Sequence, residues 1–170
     1  FVKIYTLGHS TRSLEEFLEI LKKFEIQLVI DVRRFPSSKK FPWFNKEILE
    51  KELERNQIQY LHFLELGGYR KEGYEAFSRS EEFSQALSKL VEILNKKTAV
   101  LVCSEKFWWR CHRRYIANAL VEKGFEVIHI FDEEKTQEHK PKEKEIEEKM
   151  KLRLWCDKKA KKLKENIFQE

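Results

Sequence analysis

Two stretches, Leu28-Val29-Ile30-Asp31-Val32 and Ala99-Val100-Leu101-Val102-Cys103, are apolar at nearly every position over the length of one strand. A strand with one wet face alternates apolar and polar residues, so an unbroken run needs cover on both faces. Parallel sheets flanked by helices supply that cover. Residues 2–7, 58–64 and 127–131 read as three further strands. Between the strands, apolar residues recur at helical spacing: Leu14, Phe17, Leu18 and Leu21; Ile48, Leu49 and Leu53; Phe83, Leu87, Leu90, Val91 and Leu94. A further helix is predicted from about residue 110 to 123, with Gly124 just past its end. Ser13 with Glu16 forms a capping box for the first helix, and Asn45 is the N-cap of the second. Residues 69–80 suit at most a short helix.

The pattern predicts an α/β domain: a mostly parallel, five-stranded open sheet with helices on both faces, in Rossmann-like or flavodoxin-like layering. Residues 1–131 would form it. From residue 132 the chain turns to Lys and Glu, and residues 133–145 read as a mobile linker. Ile146, Met150 and Leu154 recur every four residues, so residues 132–170 would end in a charged C-terminal helix, docked or partly mobile.

A chain of 170 residues with 41% hydrophobic residues can bury a full core, which excludes general disorder. Charged residues reach 37%, with five Gly and three Pro, a balance that fits the ion-paired surface of a thermophile protein. The net charge of +5 favours anionic partners, either a small anion or a nucleic acid. No run of about 18 apolar residues exists to cross a membrane. The opening residues lack the basic and apolar blocks of a signal peptide. Three cysteines without framework spacing suit free thiols in a reducing compartment, the cytoplasm. The oligomeric state is left open.

In open α/β sheets, ligands bind beyond the carboxyl ends of the strands, where helix N-termini also point. The first strand delivers His9 and Ser10 there, the second Asp31 and Arg33, the third Glu65, and the fourth Cys103 and Glu105. The next helix opens with Arg110, Cys111, His112 and Arg113. A thiol near a helix N-terminus and cations becomes a better nucleophile, and a neighbouring carboxylate or imidazole can move its proton. Cysteine closing a buried strand also suits a small apolar core residue. Trp108 and Trp109 follow the fourth strand, while Phe41, Trp43 and Phe44 follow the second beside Arg33, Arg34, Lys39 and Lys40. Rings for bases and cations for phosphates are the components of nucleotide or single-strand recognition. Phe41 and Phe44 equally suit the closing of a core beneath a long loop. No close C-x-x-C pair, P-loop or G-x-G-x-x-G run is present, so neither a metal nor a cofactor is predicted.

Taken in order, Thr6-Leu7-Gly8-His9-Ser10, Asp31-Val32-Arg33, Glu65-Leu66-Gly67-Gly68, Cys103-Ser104-Glu105 and Cys111-His112-Arg113-Arg114 resemble the domain of unknown function 488 family across roughly residues 2–131. The resemblance implies a compact α/β domain with a recurring Cys/Glu and Cys-His-Arg constellation, and it implies no activity. A looser likeness joins the Val-Cys strand end, loop, Arg and helix ending in Gly-Phe to rhodanese-like sulfurtransferases and cysteine phosphatases. Phe107, Trp108 and Trp109 depart from that pattern, no glycine precedes Arg110, and the Cys103-to-Arg110 spacing is one residue too long for the phosphatases.

Three functions remain in view. The first is an enzyme or sensor that binds a nucleotide-like or nucleic-acid anion. Arg33, Arg110 and Arg113 would hold the anion, with Ser10, Asp31, Glu65, Trp108 and Trp109 lining the site. Glu105 and His9 would move protons and Cys103 would be nucleophile or wall, with Cys111 and His112 as further catalytic candidates. The second is sulfur or phosphoryl transfer by the Cys103 thiol. The third is a non-catalytic nucleic-acid-binding module that uses the basic loop and the Lys-rich residues 158–164.

Overall fold

The computed structural model describes residues 2–140 and 142–168, and among these the side chains of all but 142–150, 152, 153, 167 and 168. The chain divides between His139 and Lys140 into two units.

The first unit is built on a six-stranded sheet. Its strands are β1 (Lys3–Gly8), β2 (Leu28–Asp31), β3 (Gln59–His62), β4 (Ala99–Cys103), β5 (Glu126–Ile130) and β6 (Thr136–Glu138), in the order β3-β2-β4-β1-β5-β6. The first five are mutually parallel, while β6 runs antiparallel to β5. The sixth strand exceeds the five that the sequence predicts and falls within the segment read as linker. Its physical reason is that β6 has no apolar face to betray it, since Thr136, Gln137 and Glu138 are all exposed. It is instead held by main-chain pairing and by the turn before it. There Asp132 Oδ1 accepts from the amides of Glu134 at 2.8 Å and Lys135 at 2.6 Å.

The unbroken apolar runs are explained by their alternating faces. Val29, Val100 and Val102 pack with Leu7 against Phe17, Ile20 and Leu21 of α1 (Leu14–Lys23) and Leu49 and Leu53 of α2 (Lys46–Arg55). Ile30, Val32, Leu101 and Cys103 pack on the other face, against α4 (Glu81–Leu94) and α5 (Arg113–Glu122). From β1 to β3 the chain steps toward one edge, and from β3 to β5 it steps back. Right-handed crossovers therefore place α1 and α2 on one face and α4 and α5 on the other. The short helix α3 (Tyr74–Ser78) precedes α4.

Local chemistry sets the helix ends. Both bonds of the Ser13–Glu16 capping box are present at α1. Asn45 stands at the N-cap of α2, yet its Oδ1 accepts from the Ser38 amide at 2.6 Å and so ties down the preceding loop. Helix α5 starts at Arg113 rather than near residue 110, because Cys111 adopts an extended backbone (φ −130°, ψ 158°) after a 3₁₀ turn at Trp108–Arg110. Gly124 follows α5 with φ of 93°, which a glycine tolerates.

The second unit holds the helix α6 (Lys142–Phe168). Its Leu154 is exposed, while the side chains of Ile146 and Met150 lie outside the described residues. Among the described residues, no helix is long and apolar enough to cross a membrane.

Sheet topology also fixes where a crevice forms. Strands β1 and β4 are neighbours, but the chain leaves β1 toward α1 on one face and leaves β4 toward α5 on the other. Diverging connections of this kind open a gap at the carboxyl end of the sheet.

Candidate functional site

A cleft of about 780 Å³ opens there. His9 and Ser10 reach it from β1, Arg33 and Arg34 from β2, and Cys103, Glu105, Arg110, Cys111 and His112 from β4 and the turn before α5. Main-chain bonds continue the sheet into its floor: the His9 amide donates to Cys103 O at 2.8 Å and the Ser10 amide to Ser104 O at 3.1 Å. Ser10 sits in the left-handed region at φ 49°, turning the chain out of the sheet. Gly68 faces His112, and a Cβ there would lie 2.9 Å from His112 Nδ1, so the missing side chain makes room for the imidazole.

Under one wall lies a saturated ion pair. Asp31 is fully buried and takes Arg33 Nε on Oδ1 at 2.9 Å and Nη2 on Oδ2 at 2.7 Å, in the two-pronged geometry that suits a guanidinium. Asp31 also accepts the Arg33 amide at 3.0 Å and the Tyr60 hydroxyl at 2.6 Å. Arg33 Nη2 reaches Phe44 O as well, and its Nη1 donates to His9 Nε2 at 3.3 Å. His9 Nδ1 donates in turn to Ser10 O at 3.0 Å, which defines a neutral imidazole. Burial pushes the His9 pKa down to about 4, with the Arg33 charge acting in the same direction. The ring stacks on Phe44 at 4.2 Å. Both Arg33 and His9 are thus locked in place, and Arg33 already carries its counter-charge.

The other wall carries a pair of thiols. Cys103 Sγ and Cys111 Sγ are 3.0 Å apart, with Cys103 buried and Cys111 half-buried. The Arg113 amide donates to Cys111 Sγ at 3.4 Å, and His112 Nδ1 lies 3.4 Å from the same sulfur. His112 Nε2 donates to Val32 O at 2.7 Å, so its Nδ1 is the nitrogen left to face the thiol. The two cysteines diverge in acidity. Burial pushes the Cys103 thiol up, while the bond from Cys103, joined by His112 and Arg113, holds Cys111 well below the usual thiol range.

Beneath the thiols lies Arg113, only 1% exposed. Its guanidinium donates to Thr6 Oγ1 at 3.1 Å and Glu105 O at 2.6 Å, and its Nε has no partner. Among the described residues no carboxylate forms an ion pair with it. A polar chain continues from Thr6, whose hydroxyl lies 2.5 Å from His129 Nδ1. His129 Nε2 contacts His139 Nδ1 at 2.9 Å, and His139 Nε2 contacts Asn118 Oδ1 at 2.6 Å. Burial lowers the pKa of His129 to about 2 and of His139 to about 4, so both rings are neutral and the guanidinium is the charged member.

Of the residues singled out from the sequence, the structure brings His9, Ser10, Arg33, Cys103, Glu105, Arg110, Cys111 and His112 together along one cleft. Other candidates lie elsewhere. Asp31 is buried behind Arg33. Glu65 is exposed on a separate 3₁₀ turn beside Arg70 and Glu82. Trp108 stacks on His129 at 4.5 Å and bonds Gln137, away from the cleft lining, and Trp109 stacks on Phe107. Arg113 lies under the floor. Sequence reasoning missed Lys106 and Tyr69 as lining residues and the whole Thr6–His129–His139–Asn118 chain. Two histidines ten residues apart, one of them in a segment without pattern, gave no signal for it.

A family model described as domain of unknown function DUF488 matches residues 13–120. No curated protein and no solved structure gives a significant match.

Proposed function

The chain belongs to the domain of unknown function DUF488 family, and from that premise we propose that its cleft binds a small anionic substrate, which the Cys111 thiolate attacks. The observation that carries this reading is the position of Cys111: it lines the cleft, and its sulfur touches Cys103, the Arg113 amide and His112 Nδ1. His112, with Nε2 committed to Val32 O, takes the thiol proton on Nδ1. The resulting thiolate rests against the Cys103 thiol and the N-terminal amides of α5. Cys103 itself makes a poor nucleophile, because it is 2% exposed and burial disfavours its ionisation.

Charge around the cleft supports an anion. Arg34, Lys39, Lys40, Lys106 and Arg110 line it from exposed positions, against Glu105 as the single lining carboxylate among the described residues. Glu105 accepts from the Phe107 amide at 3.3 Å, which holds its carboxyl group at the rim as the acid–base candidate.

Competitive alkylation tests the reading in a Cys156→Ser background, since Cys156 on α6 is an exposed thiol that would react as well. Iodoacetate, an anion, should modify Cys111 faster than neutral iodoacetamide does, reversing the order seen with unfolded protein, and inorganic phosphate should slow it. An unreactive Cys111, or one that prefers the neutral reagent, would remove the proposal.

A second reading keeps the anion and drops the chemistry. Tyr69 stands 79% exposed at the cleft edge with φ of 59°, and offers a ring on which a base can stack above the cations. Nucleoside monophosphate binding that survives Cys111→Ser and fails in Tyr69→Ala would favour it.

A further inference from the structure

We infer that Cys103 is the resolving thiol of Cys111, and that the cleft therefore reduces disulfides carrying a negatively charged group. This rests on the nucleophilic reading of Cys111 and names its substrate class. The motive is the pairing of two thiols with unequal access. Both line the cleft, but Cys111 is half-buried, whereas Cys103 closes β4, is 2% exposed, and lies 3.0 Å from Cys111 Sγ. An incoming molecule meets Cys111 first. Any sulfur group placed on Cys111 then becomes the electrophile nearest to Cys103. Phosphoryl or acyl transfer needs one nucleophile and would use the second thiol only as a hydrogen-bond donor to it. Thiol exchange needs both.

The backbone fits such a cycle. Cys111 is extended between the 3₁₀ turn and α5, outside the regular helix, so its side chain is not fixed by an i to i+4 ladder. Cys103 belongs to the sheet and is held by its pairing with Gly8. One partner is thus anchored and the other placed on a turn. The rim cations select the substrate: Arg110 and Lys106 come from the same loop as the thiols, and Lys39 and Lys40 face them from the loop after β2.

The exchange balances as follows. The Cys111 thiolate attacks one sulfur of R–S–S–R′; a bond forms between Cys111 Sγ and the sulfur of the RS group, the original S–S bond breaks, and R′S⁻ leaves with the electron pair and takes the proton that His112 received from Cys111. Cys103 then attacks the Cys111 sulfur, the S–SR bond breaks, and RS⁻ departs with the proton that Cys103 gives up. The net result is two free thiols and a Cys103–Cys111 disulfide. Two electrons pass from the cysteine pair to the substrate. An external dithiol, oxidised by the reverse exchange, restores the pair.

The test uses the full chain with Cys156→Ser and 5,5′-dithiobis(2-nitrobenzoate), an aromatic disulfide with a carboxylate on each ring. Released nitrothiobenzoate and intact protein mass are followed together. The inference requires two equivalents released, no lasting adduct, and a protein lighter by two hydrogens. Cys103→Ser, or Cys103→Ala should the first variant fold poorly, should stop at one equivalent with the adduct held on Cys111. A neutral dialkyl or dipyridyl disulfide should discriminate less between native and unfolded protein, on the order of tenfold, since the rim charge no longer helps it. A lasting Cys111 adduct in the chain that retains Cys103 overturns the inference and leaves the nucleophilic reading intact. No adduct on Cys111 in any variant overturns both.

Discussion

Gly8 at the end of β1 lies so close to the main-chain carbonyl of Glu105 that a Cβ at this position would overlap it. The same carbonyl accepts from Arg113 Nη2 at 2.6 Å and lies 3.6 Å from Cys103 Sγ. The loop bearing the two thiols is therefore seated on β1 through the absence of a side chain.

Gly8→Ala should consequently push that loop outward. Overpacking against backbone costs about 1–3 kcal/mol. A lower urea midpoint and a slower alkylation of Cys111 are expected together. A variant with unchanged stability and unchanged Cys111 reactivity would show that the contact is slack.

Two substitutions should raise the pH at which Cys111 becomes reactive. Cys103→Ala removes the leading contributor to its acidity, the bond between the sulfurs, and Arg113→Met removes a positive charge. Both losses disfavour the thiolate, so the midpoint of the alkylation rate against pH moves upward, further for Cys103→Ala. Arg113→Lys should recover part of the shift lost in Arg113→Met. Overlapping profiles for all four proteins would contradict the electrostatic account.

Asp31→Asn should be the most damaging single change near the cleft. Asp31 and Arg33 are 0% and 5% exposed, and removing one member strands a buried guanidinium at a cost of roughly 3–5 kcal/mol. Adding Arg33→Met to Asp31→Asn should regain stability, because the stranded charge is gone. Chemical denaturation of Asp31→Asn, Arg33→Met and the double variant reads the coupling, and strict additivity would argue against the pair as described.

Acid should weaken the fold before the carboxylates titrate. His9, His129 and His139 have folded-state pKa values lowered to about 4, 2 and 4 from an ordinary 6.5, chiefly by burial. The unfolded chain thus binds protons that the folded chain refuses. The stabilisation is complete above pH 6.5 and is lost as pH falls toward the folded values. Between pH 6.5 and 5 each of these histidines accounts for about 2 kcal/mol. His139→Gln should flatten part of the slope in a denaturation series across that window.

Much of this architecture is visible in the residues themselves. Val29 and Ile30, or Leu101 and Val102, face opposite cores, and only a doubly covered strand needs apolar groups at both. The parallel order follows, and with it the shared rim of His9, Arg33, Cys103 and Cys111. What stayed hidden depends on contacts that no local pattern encodes. Trp108 finds His129 and Gln137 through β5 and β6, so its ring is drawn from the cleft. The pairing of Arg33 with the carboxylate two residues away is readable from the spacing, while its burial is not. Cys103 and Cys111 are eight residues apart, and only the 3₁₀ turn between them folds the loop tightly enough to bring the sulfurs into contact.

Strand β6 has a consequence for how copies of the chain meet. The outer flank of β5 would otherwise offer a row of free amides and carbonyls beside apolar Val127 and Ile130, a template for another molecule's strand. Three polar residues cover it, and their own outward edge is too short and too hydrophilic to propagate a sheet. Chains trimmed or mutated at residues 136–138 would be prone to aggregation through this flank, whatever happens at the thiols.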